Sequence, residues 1–328
     1  MTPRLAIVVP CYNEAAVLPT TAARLRQLLE RLRAAGEVAA DSLVVFVDDG
    51  SADATWAQVA ELAAGHPDVA GIRLSRNRGH QNALLAGLCT APGDVLVSID
   101  ADLQDDPEAI PRMLAAHRAG SDIVYGVRRG RASDGLFKRL SARAYYRLLA
   151  ALGVEVVYDH ADFRLLSRRA VEALRDYREV NLFLRGLIPQ LGFPSARVEY
   201  DRAPRPAGRS KYPLRRMLSL AWQGVTSFSA YPLRLITGFG LLVSIASLAL
   251  AAWALGVRLF TDRALPGWAS TVIPMYFLGG VQLFSLGIIG EYVGKIYHEA
   301  KRRPRYHIET LRGRGLEPPP AAPRVDKT

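Results

Sequence analysis

Val95-Leu96-Val97-Ser98-Ile99-Asp100-Ala101-Asp102 passes from a β-favouring apolar run straight into two carboxylates. A short run of this kind, closed by polar residues, reads as a buried strand, and ligands of open α/β sheets bind beyond the carboxyl ends of strands. The pattern recurs upstream. Leu5–Val9 leads into Pro10-Cys11-Tyr12-Asn13-Glu14, and Leu43–Val47 leads into Asp48-Asp49-Gly50-Ser51. Gly71–Leu74 and Ile123–Tyr125 read as further strands. Helical stretches are expected between them, over Ala15–Ala34, Ala54–Ala64, His80–Leu88 and Pro107–His117. The alternation holds to about Tyr200 and predicts an α/β domain with a largely parallel sheet and helices on both faces.

The three polar clusters fall where such a sheet would place a site. Asp100 and Asp102 can converge on one hard cation through oxygen ligands, which would bridge the oxygens of a diphosphate. An Asp-x-Asp turn on an ordinary surface is the plainer alternative. Gly50 allows a tight turn, and Ser51 or Asp53 could cap the next helix, while Asp48 or Asp49 could instead meet a base or ribose. Pro10 to Glu14 is either a plain strand-to-helix turn or a wall of a nucleotide pocket. His80, His160 and His298 share no ligand spacing and read as structural.

Charge and composition narrow the partners. The 328-residue chain is half hydrophobic and carries a net charge of +11, which suits an anionic partner. The basic groups Arg202–Lys211, Arg215–Arg216 and Lys301–Arg305 flank apolar sequence, favouring a membrane surface and membrane lipid over nucleic acid. Cys11 and Cys89, the two cysteines, have no metal spacing and read as reduced thiols. The apolar run before Pro10 is too short for a signal peptide, so the N-terminal domain is expected in the cytoplasm.

Beyond Tyr212 the character changes. Ile236–Val257 and Ala269–Gly290 are each 22 residues without a charge. At about 1.5 Å per residue each reaches roughly 33 Å, enough for a hydrocarbon core of about 30 Å. Arg215, Arg216 and Arg234 precede the first, and Lys295, Lys301, Arg302, Arg303 and Arg305 follow the second. The connecting loop holds only Arg258, Asp262 and Arg263. Both termini are therefore expected on the cytoplasmic side of an inner or plasma membrane. The expected organisation is a catalytic domain over 1–213, an amphipathic juxtamembrane helix over 214–235, a two-helix transmembrane hairpin over 236–297, and a basic, partly disordered tail over 298–328. Gly279, Gly280, Gly287 and Gly290 would allow close helix packing.

In order, Pro-x-Tyr-Asn-Glu, Asp-Asp-Gly-Ser, Ser75-Arg76-Asn77-x-Gly79 and Asp-Ala-Asp-Leu-Gln resemble the inverting family-2 glycosyltransferases of GT-A fold. Asp162-Phe163-Arg164-Leu165-Leu166, Arg205-x-x-Gly208-x-Ser210-Lys211-Tyr212 and the run from Gly279 to Tyr292 sharpen this to polyprenyl-phosphate glycosyltransferases. Within that group the chain is similar to bactoprenol glucosyltransferases and dolichol-phosphate mannose synthases, and the likeness spans roughly Leu5 to Tyr306.

The resemblance implies a nucleotide-sugar donor, with UDP-glucose favoured, a polyprenyl phosphate acceptor such as undecaprenyl phosphate, and Mg²⁺ or Mn²⁺. It implies that Pro10, Tyr12, Glu14, Asp49 and Asp100 bind the nucleotide, and that Asp100 and Asp102 hold the metal with help from Gln104. Asp162 is implied as catalytic base or acceptor-positioning group, beside Asp102 as a catalytic residue. Arg128, Arg131, Arg205, Ser210 and Lys211 are implied as phosphate contacts. A homo-oligomer, such as a tetramer, is expected. The chain departs from the family pattern where Leu-Gln-Asp-Asp-Pro-Glu stands at Leu103–Glu108, which bears on a helix start and leaves the acid pair intact. GDP-mannose or a UDP-amino sugar is the alternative donor. A processive polysaccharide synthase is disfavoured, since no Gln-x-x-Arg-Trp motif is present. An inactive membrane scaffold is disfavoured by the intact Asp100, Asp102, Asp162 and Arg205.

Overall fold

The computed structural model describes residues 2–129, 160–179, 182–201, 231–260 and 268–316. The expected stretches at 214–230 and 317–328 lie outside them.

The strand-like runs form strands, and the sheet is mainly parallel. β1 (Leu5–Cys11), β2 (Leu43–Asp48), β3 (Val69–Leu74) and β4 (Val95–Ser98) are joined by parallel pairing in the order β4-β1-β2-β3. Next to β4 stands β6 (His160–Ser167), antiparallel to it and to β5 (Ile123–Arg128), which in turn pairs in parallel with β7 (Ser195–Tyr200). This is the α/β architecture with a mainly parallel sheet that the resemblance implied.

Three features depart from the expectations. Asp162 lies within strand β6, a strand that the expected set does not contain, so its carboxyl projects from the sheet itself. The stretch expected as a basic tail contributes β8 (Ile308–Arg312), antiparallel to β3 at the sheet edge. Finally, the two long helices exceed the expected apolar spans, because a helix continues through Arg or Glu wherever polar surroundings can solvate them.

The helices pack through apolar stripes. In α1 (Leu18–Ala34), Leu18, Ala22, Leu25, Leu29 and Leu32 recur at helical spacing and are buried against the alternate residues Leu5, Ile7 and Val9 of β1. Truncating one such leucine to alanine costs about 2–5 kcal/mol. α2 is Thr55–Gly65 and α3 is His80–Thr90. On α3, Gly87 permits a close approach. A Cβ there would lie 2.4 Å from Val8 Cγ1 and 2.7 Å from Val47 Cγ2, so the helix can rest on β1 and β2 only without one. That seating brings the start of α3, His80 and Gln81, to the carboxyl end of the sheet.

After β4 a single 3₁₀ turn at Pro107–Ala109 precedes α4 (Ile110–Arg118), with the Asp106 carboxylate accepting from the Glu108 N–H at 3.2 Å. The altered Asp-Asp-Pro-Glu motif thus starts a helix. α5 (Arg168–Asp176) and α6 (Leu184–Gln190) follow β6. Cys11 and Cys89 are buried free thiols.

The chain divides into two compact units: Met1–Tyr146 with Glu155–Lys211 and Arg303–Thr328, and Arg147–Val154 with Tyr212–Arg302. The second contains α7 (Tyr231–Phe260) and α8 (Trp268–Ala300), of 30 and 33 residues. Among the described residues, one segment, Phe277–Ala300, is long and apolar enough to cross a membrane by length and composition. Leu241, Leu242, Leu283 and Phe284 are exposed apolar side chains on these helices. Among the described residues, a Cβ at Gly279, Gly280, Gly287 or Gly290 would meet nothing within 4 Å.

Candidate active site

The loops at the carboxyl ends of β1 and β2 are laced to each other by side chain to backbone bonds. Ser51 Oγ accepts the Asn13 N–H at 2.9 Å, Asn13 Oδ1 accepts the Ala52 N–H at 2.9 Å, and Thr55 Oγ1 accepts the Glu14 N–H at 2.9 Å. Ser51 therefore joins two loops and does not cap α2, whose first residue is Thr55. Asp53 accepts from the Thr55 N–H at 3.0 Å and from the Ala15 N–H at 3.2 Å, serving helix start and lacing together. Asn13 sits at φ 55° and Gly50 at φ 68°. A Cβ on Gly50 would come within 2.7 Å of the Arg76 carbonyl carbon and the Asn77 nitrogen.

Against this frame the expected nucleotide residues take separate places. Pro10 is buried in β1 opposite Val47, while Tyr12 is exposed. Glu14 is half-buried and its carboxyl is raised by burial, by Asp102 and by Asp100. Asp49 is buried, and its two oxygens accept the N–H groups of Arg78 at 2.7 Å and Gly79 at 2.8 Å. It shapes the Ser75–Gly79 loop. Buried Asp48 faces Arg73 at 3.7 Å, and Arg73 also reaches Glu309 of β8 at 3.3 Å.

The Asp-Ala-Asp loop is pinned on both sides. Thr21 Oγ1 of α1 donates to the Ala101 carbonyl at 2.6 Å. Buried Asp105 accepts from Arg128 Nη2 at 2.9 Å and from the Tyr200 hydroxyl at 2.5 Å. Between these anchors Asp100 and Asp102 remain half-buried, with Leu103 forced to φ 50°. Asp102 accepts the Gln104 N–H at 3.1 Å and a second bond from the Gln104 side-chain amide. Gln104 thus holds Asp102 in place. Arg128, expected as a phosphate contact, pairs with Asp105 and keeps 33 % of its side chain exposed.

The carboxyl of Asp100 is pushed up to about 6 by burial, which His80 opposes and Asp162, Asp105 and Asp102 reinforce. Among the described residues no group of three or more His, Cys, Asp or Glu side chains is arranged to hold a metal. Two carboxylates that crowd each other, with substrate phosphates completing the shell, nevertheless fit the oxygen donor set of Mg²⁺.

Asp162 contrasts with this loop. Its side chain is 7 % exposed and accepts from Arg164 Nη2 at 2.5 Å, Arg185 Nε and Nη2 at 3.2 Å each, and Gln81 Nε2 at 3.2 Å. His80 Nε2 stands 3.4 Å from Asp162 Oδ2 and 3.5 Å from Asp100 Oδ1, linking the two acids. Burial alone would raise Asp162, but the His80 bond and the charges of Arg164 and Arg185 overcome it and hold the carboxyl well below its usual range. A carboxylate held ionised so firmly accepts protons poorly. Arg164 is fully buried, and its Nε and Nη1 find no hydrogen-bond partner among the described residues.

The structure therefore brings Glu14, Asp100, Asp102 and Asp162 to one end of the sheet. Arg131, Arg205, Ser210 and Lys211 lie outside the described residues. His80, expected to be merely structural, stands instead between the two acids, and Arg185 belongs to the arrangement without having been singled out in the sequence. The position of His80 directly after the Asn-x-Gly turn was the available signal for it; Arg185 offered none.

Comparison with known proteins finds similar chains over most of the length of this one. The sequence model of glycosyl transferase family 2 matches residues 6–175. An uncharacterized glycosyltransferase of Bacillus subtilis (strain 168), YkoT, is 48% identical over 309 residues, covering 94% of this chain and 91% of its own. The bactoprenol glucosyl transferase of Shigella phage SfV is 38% identical over 307 residues, covering 93% and 98%. Among solved structures, glucosyl-3-phosphoglycerate synthase from Mycobacterium tuberculosis, in complex with Mn²⁺, UDP-glucose and phosphoglyceric acid, matches with a TM-score of 0.47 and 21% identity, covering 68% of this chain and 78% of that one.

Proposed function

The chain belongs to glycosyl transferase family 2, and on that premise we propose that it transfers one hexose from a nucleotide diphosphate sugar to a polyprenyl phosphate, with inversion. UDP-glucose and undecaprenyl phosphate are the favoured pair, because relatives alike over nearly their whole length carry the name bactoprenol glucosyl transferase. The observation that carries the reading is His80, 3.5 Å from Asp100 and 3.4 Å from Asp162. It joins a loop of crowded carboxylates, suited to a cation and a diphosphate, to a carboxylate ringed by guanidinium groups, suited to a second phosphate.

In this reading Pro10, Tyr12 and Glu14 wall the nucleoside, and Asp49 acts behind them by shaping the Ser75–Gly79 loop. Asp100 and Asp102 hold the divalent ion, Mg²⁺ or Mn²⁺, which neutralises charge building on the leaving diphosphate when bound. The acceptor is a phosphate monoester with a second pKa of about 6, already mostly dianionic at neutral pH. Little proton transfer is needed, which suits an Asp162 that positions rather than accepts. Alignment and the offsetting of anion repulsion become the main tasks of the protein. Arg131, Arg205, Ser210 and Lys211 are proposed to share the phosphate contacts.

The two-span hairpin is part of the same proposal. Exposed apolar side chains along α7 and α8 and the basic run after α8 support it, with both termini cytoplasmic. The test is transfer of radiolabelled sugar into an organic-extractable lipid, run with UDP-glucose, GDP-mannose and UDP-amino sugars against undecaprenyl phosphate. Label in the lipid from one donor supports the reading and names the sugar. No label from any of them overturns it.

A further inference from the structure

The chain beyond Arg303 belongs to the first compact unit, and there it runs along the stretch that leads into His80. Its pairing with β3 stops at Ile308, opposite Leu74. The residues just before that pair make contacts of another kind. Arg305 Nη2 donates to the Tyr177 carbonyl at the end of α5. Tyr306 is half-buried, with its hydroxyl at the Cys89 thiol of α3. The His307 carbonyl accepts the Ser75 N–H at 3.0 Å. Within β8, Glu309 reaches Arg73 at 3.3 Å, and Arg73 faces the buried Asp48.

These contacts converge on one loop. β3 ends at Leu74 and α3 begins at His80, so residues 75–79 alone join them. Asp49 holds the far end of that loop through the N–H groups of Arg78 and Gly79, and the turn at Gly50 lies against Arg76 and Asn77. The near end is held by His307. A loop with no ladder of its own takes its position from such bonds. The exit of α3 is fixed as well, since Arg175 donates to the Cys89 carbonyl and Arg168 Nη2 to the Ala91 carbonyl at 2.7 Å, beside Tyr306. Residues 305–309 thus touch both the entrance and the exit of the helix that opens with His80 and Gln81. We propose that residues 305–312 form a strap that positions the 75–79 loop for the donor nucleotide, with Tyr306 and Glu309 as its positioning residues. This inference rests on the nucleotide-sugar reading above.

The test uses the full-length protein in detergent with undecaprenyl phosphate and the donor that the panel identifies. Tyr306→Ala combined with Glu309→Ala removes the side-chain anchors on either side of His307. Amide exchange over residues 75–79 is expected to quicken while that of β1 stays unchanged, as for a local opening. The donor KM is expected to rise about fivefold, on the order of one lost hydrogen bond, with the acceptor KM within about twofold. Tyr306→Phe, which keeps the ring and loses the hydroxyl, is expected to show the same split with a smaller rise. It serves alone if the double variant does not fold. A merely structural strap would leave both KM values unchanged in folded protein, or move them together with the melting temperature. Either result, or unchanged exchange over residues 75–79, overturns the inference while leaving the proposed function standing. Wild-type protein that transfers no sugar to the lipid overturns both.

Discussion

Asp100 and Asp162 stand at the same end of one sheet, bridged by the same histidine, and their electrostatics are opposite. Asp100 has acids for company, and burial with that company pushes it up to about 6. Asp162 has two arginines and a histidine, which hold it well below the usual range although it is the more buried of the two. The carboxyl group is the same, so the difference lies in its partners. A crowded acid pair is incomplete until a cation arrives. An acid that already has its cations is complete, and can only orient what surrounds it.

The strongest way to break this contrast is to remove charge from the acid pair. Asp102→Asn should keep the melting temperature and lose about 10²–10³-fold in activity, since a metal contributes several kcal/mol of charge stabilisation. Chelation of the wild type should do the same. Full turnover in excess EDTA would end the metal reading.

The same substitution at Asp162 should act differently. Asp162→Asn leaves Arg164 buried without its counter-charge, which costs about 3 kcal/mol and lowers the melting temperature by roughly 6–12 °C. Activity should fall together with acceptor affinity. A fall of about 10²–10⁴-fold in kcat alone, at unchanged melting temperature, would instead identify Asp162 as a general base.

The two acids also differ in pH dependence. Because the folded-state value of Asp100 is raised to about 6, the folded protein holds a proton there that the unfolded chain has released, and cation binding must expel it. The Mn²⁺ concentration for half-maximal activity should therefore fall as pH rises toward 6 and level off above it, by up to about tenfold per unit below that point. A requirement that is flat from pH 5 to 7.5 would contradict the assignment. Asp162 has the opposite sign: its folded value is lowered, so its contribution to stability is full above the ordinary carboxylate value and is lost as pH falls through its own.

The smallest expected effect is at the bridge. His80→Gln keeps an N–H donor toward Asp162 and should cost only a few-fold in activity, less than His80→Ala. Rates for the two variants on one preparation would decide it, and equal losses would show that the bridging bond does not matter.

Much of the first half of the sheet was legible because each of its strands is an apolar run that ends in polar residues, a pattern set by local burial. The second half was less so. β6 and α6 draw on His160–Ser167 and Leu184–Gln190, where Arg164 interrupts the apolar pattern to pair with Asp162 on its own strand, and Arg185 does so for the same carboxylate, which only folding brings near it. β8 reads as polar tail, since Ile308-Glu309-Thr310-Leu311-Arg312 is an edge strand with one solvated face. Its pairing with β3 spans more than two hundred residues of chain, which no local signal records.

By itself the sequence determined the strand-and-helix order as far as Arg128, the acid pair and the apolar segments, because each depends on neighbours within a few residues, and the order of its motifs marked the family. Only the tertiary structure decided which groups share charge. It paired Arg128, expected as a phosphate contact, with Asp105, and set Asp49, expected as a nucleoside contact, on the N–H groups of Arg78 and Gly79. It also placed His80 between two acids more than sixty residues apart in the chain. Coulombic and hydrogen-bond partners are chosen by distance in space, and residues distant in sequence acquire that distance only when the sheet has formed.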